Sequence, residues 1–255
     1  MDNPPVGATP RRAVLGAGLF ALGAAGHASP ARGAAPAAGH VVLLGDSVFD
    51  NAGYLAGGGP DVAGHLRARL PGGWRATLLA RGGAVASDVP GQLVRLPRDA
   101  THLAVSAGGN DAGRREGVLA EPARGVADAL ARLASVRGRF AEDYRAMLDA
   151  VSARRLPVAV CTIYDPRFPD PGRRVAATVA LSAFNDAITR EAFARGAALL
   201  DLRLVCGSDE DFAGPTGPSV RGGGKIAAAI SAWAAGNGAA RRRRTEVFAG
   251  EEGGG

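Results

Sequence analysis

Short uninterrupted apolar runs alternate along the chain with longer stretches whose apolar residues recur every three or four positions. The first run, Val41-Val42-Leu43-Leu44, predicts a strand over His40 to Leu44 that is buried on both faces. It stops abruptly at Gly45-Asp46-Ser47. Pro60 to Leu70 carries Val62, Leu66 and Leu70 at spacing four and predicts a helix. Trp74 to Ala80, Thr101 to Ala107, Leu156 to Ile163 and Ala197 to Leu202 predict strands two to five. Ser87-Asp88-Val89 is a plausible helix start. A long helical region is expected from about Pro122 to Arg155, periodic through Val126, Leu130, Leu133, Phe140, Tyr144, Met147, Leu148 and Val151. Gly138 should break or bend it. Val175 to Arg195 and Ser219 to Trp233 predict two further helices.

Strands alternating with helices imply right-handed crossovers and a parallel sheet covered on both faces. The expected fold class is therefore α/β: a three-layer α/β/α sandwich around a flavodoxin-like, parallel five-stranded sheet, with strand one central. All loops that follow strands then share one rim. Ser47, the Gly83 loop, Asn110, Asp165 and the segment from Cys206 to Ser219 would lie there together.

Three regions are expected: 1–38 as export signal and linker, 39–236 as the domain, and 237–255 as a disordered Arg/Gly-rich tail. Near the amino end, Arg11-Arg12 precedes a short apolar part from Ala13 to Ala25, followed by small residues. Charge, short apolar core and small residues are the layout of an export signal, and the arginine pair resembles a twin-arginine one. The apolar part falls short of the roughly 20 residues that span a bilayer, so no stable membrane span is expected. A periplasmic or secreted location follows; a cytoplasmic protein with an alanine-rich leader is the alternative.

The chain carries 30 basic and 24 acidic residues, a formal net charge of +6. Seven arginines (Arg11, Arg12, Arg32 and Arg241 to Arg244) lie outside the expected domain, so the excess says little about its surface. No basic stripe with aromatic support marks a nucleic-acid partner. Cys161 and Cys206 read as two buried free thiols, with a bridge possible if they meet. His27, His40, His65 and His102 match no metal spacing, and no cofactor motif is present. Gly224-Lys225 lacks the rest of a phosphate loop, and Ser47 is followed by Val48-Phe49 rather than the x-Gly of a Gly-x-Ser-x-Gly elbow.

Acyl transfer needs a nucleophile, donors for a developing oxyanion and a base. Ser47, in a tight turn at a strand's carboxyl end, is the candidate nucleophile. Candidate donors are the Ser47 N–H, a backbone N–H from the Gly82 to Val85 loop, and the Asn110 amide. Asp46, Asp111 and Asp165 are candidate supports. Singly, each has an ordinary reading as a turn or cap residue. Their joint placement after strands one, two and three is the signal.

At this point the chain resembles the SGNH (GDSL-type) hydrolases. Gly45-Asp46-Ser47 matches that family's first block and Gly108-Gly109-Asn110-Asp111 its third, Gly-x-Asn-Asp. The resemblance spans roughly residues 40 to 235. It implies the SGNH hydrolase fold, action on a small-molecule acyl ester, the nucleophile role for Ser47 and the oxyanion role for Asn110. The second-block glycine aligns with Val85, with Gly83 two residues earlier, so the resemblance implies an oxyanion N–H at Gly83 or Val85. The last block, Asp-x-x-His-Pro in the family, reads Gly214-Pro215-Thr216-Gly217-Pro218 here, so glycines stand where the Asp and His are expected. No histidine follows His102; Asp165, Asp209, Glu210 and Asp211 are the acids near the gap. Two functions fit: a serine esterase with a degenerate base, or an inactive relative that binds an acylated sugar or lipid.

Overall fold

The computed structural model describes residues 38–236. The predicted export segment through residue 37 and the Arg/Gly-rich tail lie outside them. Five strands form one parallel sheet: β1 (His40–Gly45), β2 (Arg75–Leu78), β3 (His102–Ser106), β4 (Val158–Cys161) and β5 (Ala198–Leu200). Seven α-helices accompany them among the described residues: α1 (Val62–Arg69), α2 (Val89–Gln92), α3 (Gly109–Gly113), α4 (Val126–Ser152), α5 (Pro171–Ala194), α6 (Leu202–Val205) and α7 (Val220–Ala234). Val41 to Leu44 are wholly buried, as an uninterrupted apolar run in a doubly covered sheet must be. One core layer packs β1 and β3 against α2, α4 and α5 through Leu103, Phe140, Tyr144 and Ile188. The other packs the opposite face against α1 and α7 through Leu43, Phe49, Leu66 and Ile226. The three-layer α/β/α expectation therefore holds.

The strand order is β2-β1-β3-β4-β5. Strand one is interior but not central; β3 takes the middle. The chain places β2 on one side of β1, then crosses back and lays β3, β4 and β5 successively on the other. Strand order reverses between β1 and β3, and in open α/β sheets the crevice at such a switch point is the ligand site.

Two helix expectations change. α4 runs through Gly138 unbroken. A helical glycine costs about 1 kcal/mol relative to alanine, and Val136, Phe140, Tyr144, Met147, Leu148 and Val151 hold α4 to the core on both sides of it. α5 begins at Pro171, four residues before the predicted Val175, because the Asp170 carboxylate caps it by accepting from the Arg173 N–H at 2.6 Å.

Candidate active site

The rim at the β1/β3 switch point is built by close approach of two strand ends. Gly45 pairs with Ser106 in register, and the Asp46 N–H donates to the Ser106 carbonyl at 2.9 Å. Gly45 has φ +114°, and a Cβ there would lie 1.7 Å from the Ser106 oxygen, so only glycine fits. Gln92 clamps the same point, its amide oxygen accepting from Gly45 N–H at 2.7 Å and its amide nitrogen donating to Gly45 O at 2.8 Å. Beyond it the chain makes a helical turn, with Asp50 N–H donating to Asp46 O at 3.1 Å, and Ser47 emerges half-buried on that turn.

Asp46 lies beneath the serine and is 3 % exposed. Its Oδ1 accepts from Val48 N–H (3.0 Å) and Ser106 Oγ (3.2 Å). Burial pushes its carboxyl up to about 7, outweighing those hydrogen bonds. Asp111, also buried and shifted up by burial, accepts from Ala86 N–H at 3.0 Å through Oδ2. It thereby ties the turn after β3 to the loop after β2. Asn110 donates its side-chain N–H to Ala84 O at 2.8 Å, leaving the second amide hydrogen for the cavity.

The loop from Gly82 to Ala86 settles which backbone N–H is free. Gly82 donates to Asp50 Oδ2 (2.9 Å), Ala84 to Arg81 O (3.2 Å), Val85 to Asp88 Oδ2 (3.0 Å) and Ala86 to Asp111. Gly83 N–H alone has no acceptor among the described residues. Val85 is thus corrected as a donor candidate: the Asp88 carboxylate that caps the next helical turn has taken its N–H.

Ser47 and Asn110 line one cavity of about 330 Å³, together with Asp46, Ser106, Thr162, Tyr164 and Thr216. Asp165 is not among its walls, although its neighbours Tyr164 and Pro166 are, and neither are Gly83 and Val85; Gly83 lines a separate depression with Arg81, Asp88 and Arg95. The acids nearest the missing last-block pair are committed elsewhere. Asp209 pairs with Arg167 at 2.8 Å, Glu210 faces Arg221 at 3.7 Å, and buried Asp211 holds Lys225 at 2.6 Å. None of the three lines the cavity.

The described histidines are also elsewhere. His40 and His102 start their strands, so the length of β1, roughly 17 Å at ~3.3 Å per residue, separates them from the rim. His40 binds Thr77 and Asp99, and His102 packs between Trp74 and Trp233. His65 of α1 contacts Arg69. Among the described residues no imidazole reaches Ser47. The place of a residue-217 side chain is itself filled: a Cβ on Gly217 would lie 2.8 Å from the Tyr54 ring. Tyr54 comes from a 3-10 turn (Ala52–Tyr54) that follows the Ser47 loop, and spacing alone gave no hint of it. Tyr164 likewise escaped notice; its hydroxyl donates to Thr216 O and ties the β4 loop to the degenerate block.

Cys161 and Cys206 are free and buried, and burial pushes the Cys206 thiol up to about 12. Among the described residues no group of His, Cys, Asp and Glu is placed to hold a metal ion, and no helix is long and apolar enough to cross a membrane.

No curated protein sequence matches the chain. Solved structures do. An extracellular lipase from Streptomyces rimosus superposes with a TM-score of 0.56 at 20 % identity, covering 76 % of this chain and 99 % of its own. A phospholipase A1 from Streptomyces albidoflavus NA297 gives 0.56 at 20 % identity, with 77 % and 99 % covered. A carbohydrate acetylesterase from Sinorhizobium meliloti gives 0.52 at 14 % identity, with 76 % and 99 % covered. At such identities the likeness shows a shared fold. The family model for the GDSL-like lipase/acylhydrolase family matches residues 43–239, from β1 to beyond α7, and the chain belongs to that family.

Proposed function

We propose that the protein is a serine-dependent ester hydrolase in which Ser47 attacks the acyl carbonyl without an imidazole partner, and that it is therefore slow. The observation that carries this is the meeting of Ser47 and Asn110 on one cavity wall at the β1/β3 switch point. The Ser47 N–H and the second Asn110 hydrogen are the donors for the oxyanion. Such preorganised donors act even when the base is gone, because they stabilise charge that develops only in the transition state. The serine hydroxyl, lacking a base within about 2.6–3.2 Å, stays weakly nucleophilic at neutral pH. Asp46 and Asp111 hold the loops and do not touch the reacting atoms. The layout of residues 9–38 supports action outside the cytoplasm.

A second reading, an inactive relative that binds an acylated ligand, is favoured by one observation. Gly217 is sealed by Tyr54, and the neighbouring acids are engaged by cations. A serine-directed fluorophosphonate probe separates the two. Labelling of the wild type at Ser47, with aryl-ester hydrolysis that Ser47→Ala abolishes, supports the hydrolase. Absence of both labelling and turnover supports the binder.

A further inference from the structure

The depression that Gly83 lines with Arg81, Asp88, Gln92 and Arg95 shares no lining residue with the cavity at Ser47. Elsewhere on the surface arginines pair with carboxylates, as Arg137 does with Asp186, Arg145 with Glu191 and Arg203 with Asp201. Arg81 and Arg95 are exposed and have no carboxylate partner among the described residues. Neither has Arg114, whose guanidinium reaches the same loop and donates to Gly83 O at 3.3 Å. The one acid in the wall, Asp88, accepts from Val85 N–H through Oδ2. Asp50, which accepts from Gly82 N–H, is not among the lining residues. The depression therefore carries an excess of positive charge. It also holds a neutral donor, Gly83 N–H, with no acceptor among the described residues. Gly83 sits at φ +80° with nothing within 4 Å of a Cβ position, so its backbone is open to approach.

We propose that this depression binds a phosphate group, held by Arg81 and Arg95 with Gly83 N–H as a further donor. A guanidinium presents paired planar donors that match two oxygens of a tetrahedral oxyanion. Binding there breaks no ion pair among the described residues, because neither arginine has one to give up. Two guanidiniums face the single charge of Asp88, so a divalent anion gains more here than a carboxylate would. The walls disfavour other ligands. Apart from Ala84 they are charged or amide side chains and glycine backbone. They offer no apolar surface for a neutral ligand to cover and no aromatic ring on which a base could stack. Neither Ser47 nor Asn110 takes part, so the site stands apart from the hydrolase reading. Free phosphate and the phosphate of a monoester share this chemistry, and the test separates them.

The test follows the backbone amide resonances of the full chain while inorganic phosphate, and separately phenyl phosphate, replaces chloride. Ionic strength is held constant so that screening does not change. The Gly83 amide should shift saturably, with half-saturation in the millimolar range. Arg81→Gln and Arg95→Gln should each weaken binding about tenfold, the loss of one charge-assisted hydrogen bond, and the double variant should not saturate. Arg139→Gln is the control. That arginine of α4 is exposed, bonds only Ser135 Oγ among the described residues and lines no part of the depression, so its loss removes a charge without touching the site. All these variants replace exposed side chains, and circular dichroism checks that each is folded. Equal binding of the two probes assigns the site to the free ion; tighter binding of phenyl phosphate assigns it to a phosphate group on a larger molecule. Shifts that stay linear in both probes overturn the proposal. So does an affinity lowered as much by Arg139→Gln as by Arg81→Gln, since that would show only a general ion atmosphere.

Discussion

Replacing Asp46 with asparagine should make the protein more stable in alkaline solution and flatten its stability across neutral pH. The carboxyl is buried beneath Ser47, pairs with no cation among the described residues, and titrates near 7 when folded. The unfolded chain gives up the same proton near 3.8. Between those values the unfolded state has lost the proton and the folded state still holds it. Stability is therefore full below about pH 3.8, falls as pH rises, and levels above about 7. Three units at about 1.36 kcal/mol each put the whole fall at about 4 kcal/mol. Between pH 5 and 8 the same linkage gives about 2 to 3 kcal/mol.

Asparagine keeps an oxygen for the Val48 N–H and Ser106 hydroxyl and removes the titration. Other groups act in the same range. Asp111, raised by burial, adds a fall of the same sign; His40 and His102, lowered by burial, add a rise between their folded values and 6.5. The difference between wild type and Asp46→Asn cancels them. Urea unfolding followed by circular dichroism at pH 5, 6, 7 and 8 measures it. The wild type should lose about 2 to 3 kcal/mol relative to the variant over that range. An equal slope in the two proteins would refute the reasoning, because it would mean that Asp46 ionises as freely in the fold as outside it.

Further substitutions test the rim. Asn110→Ala should lower kcat/KM on aryl esters by about 10²–10³ if the amide serves the oxyanion, and a change under threefold would remove it from that role. Gly217→His alone should not raise activity, because the new Cβ meets the Tyr54 ring at 2.8 Å; Tyr54→Ala with Gly217→His makes room and should turn over faster than either parent. Adding Gly214→Asp should help less than family resemblance suggests, since Gly214 has φ +132° and an L residue there is strained. A faster Gly217→His single variant would show that Tyr54 yields.

The strands were legible because each is an apolar run short enough to exclude a helix, and Ser47 and Asn110 were legible because both follow such runs directly. The early start of α5 was also written, in Asp170-Pro171, an acceptor followed by a residue suited to the first helical turn. The cavity was not. Leu133 and Val136 belong to the same periodic stripe as Phe140 and Tyr144, and periodicity does not distinguish a residue that fills the core from one that walls a cavity. Its other wall lies on α5, far along the chain, and only the fold brings the two together. Val85 misled for a local reason: counting back from the next helix gave the position, while the Asp88 side chain decided what its N–H does. Tyr54 was invisible because its role is to occupy space left by a glycine 163 residues later.

The same hydrogen bonds bear on what the retained motif residues mean. Asp111 joins two loops through Ala86, Asn110 joins the same loops through Ala84, and Asp46 joins β1 to β3 through Ser106. Each bond spans elements far apart in sequence, and each would hold the rim together in a protein that catalysed nothing. The presence of Asp46 and Asp111 is therefore accounted for by the fold alone, whereas Asn110 spends one amide hydrogen on the loop and keeps the other for the cavity. Ser47 differs. Its hydroxyl makes no hydrogen bond among the described residues, caps no helix and joins no loops, yet it stands half-buried on the wall of the cavity. The fold would lose nothing but a hydroxyl if alanine stood there. The chemistry of the site thus rests on that one oxygen, and its reaction with a fluorophosphonate is the measurement from which the other assignments follow.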